Sequence, residues 1–259
     1  MRIQGVEIED LSGYPDLLRS LQTDYLRFIS SLFGVYKPGI KLAAEIIEQH
    51  DIELVYDLGS GGGGAIPGLY DYINKAEQRI PEIVLTDLYP NKTAASRLKN
   101  ISDGHINYDL RSLPALTAIE EVPKDKKTLV TIFNMFHHLE EEAAKTLLKR
   151  ISEQGHFVLM VEPLDKSILQ IFINIFVTLI MAPVFTLFVK PVRVSRYLFS
   201  YFIPIVPLVT CFDGIFSVLR LYSVKHLKKI TGTINGLNWT AGKLKFTFGK
   251  TIYLLGKPQ

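Results

Sequence analysis

The sequence predicts an α/β fold: a mostly parallel seven-stranded sheet with helices on both faces, an antiparallel final strand, and an apolar helical hairpin inserted late in the chain. Three observations predict it. Short apolar runs at 54–56, 83–85, 129–133 and 157–161 alternate with segments of helical periodicity, the order that builds parallel βαβ units. The first of these runs leads straight into a glycine-rich turn and a new helix. An uncharged stretch at 168–189 then interrupts the series after the fourth run.

Composition narrows the function classes. With 259 residues, 47% hydrophobic and 21% charged, the chain fits one large domain or one domain carrying an elaborate insertion. A net charge of +3, without any run of five basic residues, is too mild for a protein that holds nucleic acid by its phosphates, so no nucleic-acid partner is expected. The single cysteine, Cys211, excludes an intramolecular disulfide and a CxxC-type metal set, consistent with a reducing compartment. No metal is expected. The opening MRIQGVEIED carries Glu7, Glu9 and Asp10 where a signal peptide needs a basic start and an apolar core, so no cleavable targeting segment is expected and the main domain should face the cytoplasm.

In order along the chain, Leu17, Leu18, Leu21, Tyr25, Phe28, Ile29 and Leu32 recur at three- and four-residue spacing and predict an amphipathic helix within an N-terminal segment, 1–35. A second helix follows Pro38 through Leu42, Ile46 and Ile47, with the proline near its first turn. The strand–helix series then occupies 36–163 and resumes at 213–259, with the apolar insertion, 164–212, between them. Residues 237–246 and 251–256 have no helix between them, which predicts a strand pair containing an antiparallel edge.

The segment ELVYDLGSGGGGAIPGLY carries the most chemistry. An apolar strand ends at Asp57, and Gly59, Ser60, Gly61, Gly62, Gly63 and Gly64 precede a helix opening near 65–67. Glycines at alternate positions remove the Cβ atoms that would hold a ligand off the backbone, and the helix start offers free N–H groups. This predicts a nucleotide-cofactor turn, with a flexible surface loop as the alternative that the flanking strand and helix disfavour. It loosely fits a nicotinamide fingerprint as well. Asp57 argues against that: a carboxylate two residues before the first glycine receives a cationic amino-acid moiety but repels a pyrophosphate.

On Asp57, Gly59, Gly61 and Gly63 the sequence resembles the class I S-adenosylmethionine-dependent methyltransferases, and the resemblance extends from about 36 to 258, apart from the insertion. It implies S-adenosyl-L-methionine as cofactor, with Ser60 in the same binding turn. It implies that Asp87, at the end of IVLTD, accepts the ribose hydroxyls, with Leu88 beside the adenine. In NYDLRSLP it places Asp109 near the adenine amino group, with Leu110 next to it and Leu113-Pro114 completing the motif. Asn134, directly after the run at 129–133, would line the cofactor and substrate pocket.

Methyl transfer from a sulfonium demands alignment more than acid–base help. For a hydroxyl acceptor a base is useful, and His138 in FHHLEEE follows its strand closely enough to reach the pocket, with His137 the less favoured neighbour. A polar loop role is the alternative for both. After the insertion, Asp213, Arg220 and Tyr222 precede a helix capped by Ser223 and are candidates to line the acceptor site; pairing with an acid is the alternative for Arg220.

The insertion reads as membrane-associated. Its 22 uncharged residues, 168–189, are long enough to span a bilayer, but Gln170, Asn174 and Pro183 weaken a span, and the second uncharged stretch, 197–212, is short. The chain must return to one sheet, so it crosses twice or not at all. Two crossings would carry Lys190, Arg193 and Arg196 to the far side, against the positive-inside tendency. A re-entrant or surface-lying hairpin is therefore expected, its three cations near anionic head groups, with a helical lid buried on the domain or a partner as the alternative. Next to the expected acceptor pocket, such a hairpin would deliver a lipophilic acceptor, most simply for O-methylation. Two other readings share these residues: a cofactor-binding but inactive membrane scaffold, and a nicotinamide-dependent reductase.

Overall fold

The computed structural model describes residues 2, 3 and 5–259. Two compact units emerge: Val35–Pro163 with Ser223–Gln259, and the N-terminal residues up to Gly34 with Leu164–Tyr222. The first half of the chain runs α1 (Asp16–Phe33), α2 (Lys37–Gln49), β1 (Leu54–Leu58), α3 (Ile66–Lys75), β2 (Glu82–Asp87), α4 (Lys92–Ile101), β3 (Ile106–Ser112), α5 (Ala115–Ala118) and β4 (Thr128–Phe133). The second half runs α6 (Glu141–Glu153), β5 (Phe157–Glu162), α7 (Ile168–Ile175), α8 (Ala182–Phe185), α9 (Val194–Tyr197), α10 (Ile205–Arg220), α11 (Val224–Thr231), β6 (Leu237–Phe246) and β7 (Gly249–Pro258).

The sheet unit holds all seven strands in the order β3-β2-β1-β4-β5-β7-β6. Strands β1 to β5 pair in parallel, and β7 pairs antiparallel with both β5 and β6. The final strand is antiparallel, as expected, but it is not the edge. Its hairpin with β6 closes at the Phe246–Gly249 pair, a two-residue connection, so β7 folds straight back between β5 and β6. Every residue of β1 and β4 is buried, so these central strands are covered on both faces. Ala43, Ile46 and Ile47 of α2 and Ile66, Leu69 and Ile73 of α3 join Val55, Ile83, Leu85 and Val161 in one core. At the opposite edge β3 buries only Ile106 outright, which is why no apolar run marks it in the sequence. Asn91 caps α4 by accepting the Ala94 N–H at 2.9 Å, and Ser223 caps α11 as predicted, accepting from His226 at 3.2 Å.

The helical unit is built on α1. Leu21, Gln22 and Tyr25 form its buried face, and Gly34, at φ 62°, ends it with its N–H on the Ser30 and Ser31 carbonyls. Tyr25 packs with Ala182 and Val189, flanked by Phe28, Ile29 and Phe185, and its hydroxyl donates to the Val177 carbonyl at 2.7 Å. The α7 and α9 helices each continue into a π-turn, Phe176–Ile180 and Leu198–Phe202. Gly214 lets α10 approach α7: a Cβ there would lie 2.3 Å from Asn174 Oδ1, and the Asn174 amide donates to the Cys211 carbonyl at 3.1 Å.

The unit boundary differs from the predicted one at 213. Helix α10 runs unbroken from Ile205 to Arg220, because Pro207 lies in its first turn, where a missing N–H is tolerated. Residues 213–222 therefore stay with the insertion, and the N-terminal helix belongs to the same unit. Among the described residues no single helix is long and apolar enough to cross a membrane. Two pairs reach that length and composition only together, Ile168–Ile180 with Ala182–Phe188, bent by 53°, and Val194–Phe202 with Ile205–Arg220, bent by 73°.

Candidate functional site

The glycine turn sits at the carboxyl end of β1, the place where doubly wound sheets bind ligands. Gly59, Gly61 and Gly63 take φ of 68°, 50° and 99°, backbone that side-chain-bearing residues rarely adopt. Their surroundings differ. A Cβ on Gly59 would lie 2.3 Å from Met135 Cγ, whereas one on Gly61 would meet nothing within 4 Å. Gly59 is thus required by packing and Gly61 faces open space. The turn is fastened from several directions: the Ser60 N–H donates to the Thr86 carbonyl at 3.0 Å, Tyr108 Oη to the Gly61 carbonyl at 2.9 Å, and Arg97 to the Gly62 carbonyl at 2.7 Å.

Two carboxylates hold this turn and a third lies on the neighbouring strand. Asp57 is almost fully buried and accepts two hydroxyls at 2.6 Å, Ser60 on Oδ2 and Thr131 on Oδ1. Burial pushes its pKa up to about 7; the two hydroxyl donors oppose that rise and the charge of Asp87 adds to it. Asp87 ends β2 and accepts the Gly61 N–H at 2.6 Å on Oδ2 and the Tyr89 N–H at 2.7 Å on Oδ1. Asp109 lies further back along its strand, where Tyr108 pairs with Leu85, two residues short of Asp87. Its carboxylate is gripped by Arg111 at 2.6–3.1 Å, and that guanidinium holds its pKa below the usual range. Leu88 and Leu110 are exposed beside these acids.

A solved structure shares this architecture. An O-methyltransferase family protein from Burkholderia thailandensis superposes with a TM-score of 0.51 at 14% sequence identity, over 89% of this chain and 58% of that one. The fold is that of the class I methyltransferases. The citrinin polyketide synthase CMeT domain is similar at a TM-score of 0.48 and 12% identity, over 84% of this chain and 52% of that one. Magnesium protoporphyrin IX methyltransferase from Synechocystis, solved with S-adenosylmethionine bound, is similar at 0.47 and 11%, over 96% and 100%. The chain thus spans a little over half the length of the first two. No family model matches the sequence, and no curated protein does.

Within the methyltransferase fold the residues present suit S-adenosylmethionine. Gly61 leaves one side of the turn open, with its N–H on the Asp87 carboxylate and with Asp57 holding the adjacent Ser60 hydroxyl. Asn134, half-buried at the end of β4, takes φ 57° and donates its N–H to the Val161 carbonyl at 3.0 Å. Asparagine is among the few side-chain-bearing residues that adopt this backbone readily.

Three residues later the two histidines divide their roles. His137 is buried, its Nδ1 2.8 Å from Glu162 Oε2, and its backbone N–H donates to Glu162 Oε1 at 3.0 Å. His138 is half-buried with its ring tilted on that of His137, centroids 4.2 Å apart. Glu162 therefore fixes His137, and His137 backs His138. Sequence reasoning missed Glu162, Thr131 and Tyr108 as parts of this site. Glu162 and Thr131 are polar residues buried in otherwise apolar strands, and that exception was the available signal.

Asp213, Arg220 and Tyr222 belong to the helical unit and are engaged there. Asp213 accepts the Ile8 and Glu9 N–H groups at 2.6 and 3.2 Å and the Gln22 amide at 2.9 Å. Arg220 pairs with Glu7 at 3.2 Å and Asp10 at 3.1 Å. Tyr222 is buried under Arg2, whose guanidinium carbon lies 4.2 Å from the ring centroid. Their geometry is that of residues fastening the N-terminal segment to α10.

Proposed function

We propose that this protein transfers the methyl group of S-adenosylmethionine to an oxygen of a lipophilic small molecule. One observation carries the reading: a glycine turn with its open face at Gly61, pinned beneath the Asp87 carboxylate at the carboxyl end of the sheet. Asp57, Gly59, Ser60, Gly61 and Gly63 would hold the amino-acid end of the cofactor, Asp87 and Leu88 the ribose and adenine, and Asp109, Leu110 and Asn134 the rest of its pocket. When bound, S-adenosylmethionine supplies an activated methyl group on a sulfonium that departs as a neutral thioether.

His138 would take the proton of the acceptor hydroxyl as oxygen attacks, with His137 and Glu162 keeping its ring in place. The lipophilic acceptor is favoured by the insertion that follows β5 directly in the chain, whose large apolar side chains are exposed. The deciding test is calorimetric titration with S-adenosylmethionine, S-adenosylhomocysteine and reduced nicotinamide cofactor. Saturable binding of the first two alone is expected, followed by methylation in a screen of hydroxylated lipids and quinone-like phenols. Binding of the nicotinamide instead would overturn the reading.

A further inference from the structure

The helical unit is amphipathic the wrong way round for water. Ile168, Phe172, Phe176, Ile180, Val184 and Phe188 are spaced four residues apart, and every one of them is half or more exposed. In an ordinary α-helix such a row drifts around the axis, but the π-turn at Phe176–Ile180 takes an extra residue per turn and counters that drift. The same device recurs beyond the bend, where Val194 (86%), Leu198 and Phe202 (80%) stand outward across the second π-turn.

The polar side chains of the same segments point inward. Thr178 is 1% exposed with its hydroxyl on the Asn174 carbonyl, Thr210 is buried on the Val206 carbonyl, and Thr186 and Ser200 are buried as well. Apolar residues outside and satisfied polar groups inside are the arrangement of a segment whose solvent is hydrocarbon.

Cations lie next to these rows in sequence and in the fold. Arg196 does not serve as the head-group contact expected of it: it is 2% exposed and turned inward to Asp24 at 2.6 Å and to the Val189 and Pro191 carbonyls. Arg27 lies beside it, bonded to Asp24 at 3.1 Å and to the Lys190 carbonyl at 2.7 Å. Arg27, Arg193 and Arg196 share the single carboxylate of Asp24, and Lys190 is exposed beside them, so among the described residues this cluster is net positive. The Arg27 and Arg193 side chains keep about a quarter of their surface in contact with solvent.

We infer that the helical unit seats in one leaflet of an anionic phospholipid membrane as a bent, non-crossing wedge: the rows through Phe172, Phe176, Phe188 and Phe202 lie in the acyl region, and Lys190, Arg193 and Arg27 meet the phosphates. Each helix pair is bent, by 53° and 73°, and among the described residues no single helix is long and apolar enough to cross. A second copy of this chain is a poorer occupant, since it would bring the same cations to the interface, whereas anionic head groups complement them. This names the phase from which the acceptor of the proposed reaction comes, and it rests on that reading for the link to catalysis alone.

Flotation with phosphatidylcholine vesicles, with and without phosphatidylglycerol, tests it. The protein is expected to float with both, more strongly with phosphatidylglycerol, and to stay bound in high salt. The exposed-site variant Phe172→Ser/Phe176→Ser/Phe188→Ser is expected to lose at least about tenfold in vesicle affinity while keeping its S-adenosylmethionine affinity and circular dichroism. Lys190→Glu is expected to weaken only the phosphatidylglycerol preference. A Phe172→Trp reporter in a Trp239→Phe background should be quenched by brominated acyl chains. Failure of the wild type to float, full release by salt, an unquenched reporter, or a dimer that hides these residues in solution would overturn the inference. Loss of cofactor binding alone would overturn only the methyl-transfer reading.

Discussion

The Asp87 carboxylate accepts the Gly61 N–H at 2.6 Å, tying the end of β2 to the centre of the turn that follows β1. One side chain thus both shapes the cofactor turn and stands at its rim. Asp87→Ala is expected to weaken S-adenosylmethionine at least about tenfold, as loss of a charge-assisted hydrogen bond does, and calorimetry reads it. Asp87→Asn keeps one acceptor oxygen and should fall between the two.

Asp57 sets a pH dependence of stability. Its pKa rises from 3.8 unfolded to about 7 folded, so between those values the native state holds more protons than the unfolded chain and stability falls as pH rises. The loss is complete above pH 7 and amounts to roughly 4 kcal/mol. Thermal unfolding followed from pH 4 to 8 should show the decline, and Asp57→Asn should flatten it, since the Ser60 and Thr131 hydroxyls can turn to meet an amide.

Two glycine substitutions should separate packing from binding. Gly59→Ala drives a Cβ into Met135 and is expected to cost several kcal/mol in denaturant unfolding. Gly61→Ala meets no atom and should cost only about 1–2 kcal/mol for its left-handed backbone, yet it should lose most cofactor affinity. Retained affinity in a folded Gly61→Ala protein would place the ligand elsewhere.

Glu162 holds both the ring and the backbone of His137, and both partners are buried. Glu162→Ala leaves the His137 ring and N–H without their buried acceptor and is expected to destabilise the protein by about 1–3 kcal/mol, measured by chemical denaturation. His138→Ala should leave stability within about 1 kcal/mol and lower turnover without changing cofactor affinity; an unchanged rate would remove His138 as the base.

The central sheet was legible because β1, β2, β4 and β5 are apolar runs between helical patterns, and the turn because its left-handed backbone favours glycine over other residue types. What escaped depends on partners distant in sequence. Strand β3 is polar because it lies at the sheet edge, so its motif was readable but its strand was not. Asp213 and Arg220 looked like acceptor contacts because nothing local pairs them; their partners, Ile8, Gln22, Glu7 and Asp10, lie some two hundred residues away. The outward rows of the insertion were visible as uncharged length, but which side faces out follows only from the burial of residues such as Thr178 and Thr210.

That the helical unit is assembled from two separated stretches has a consequence for synthesis. The first 34 residues leave the ribosome well before Leu164–Tyr222 exists to receive them. At ~5–20 residues per second that wait is on the order of ten seconds. During it α1 carries the buried face of Tyr25 and Leu21 without its eventual neighbours, while β1 to β5 emerge. The nascent chain therefore presents an unsatisfied amphipathic helix to chaperones or to a membrane ahead of the sheet's completion.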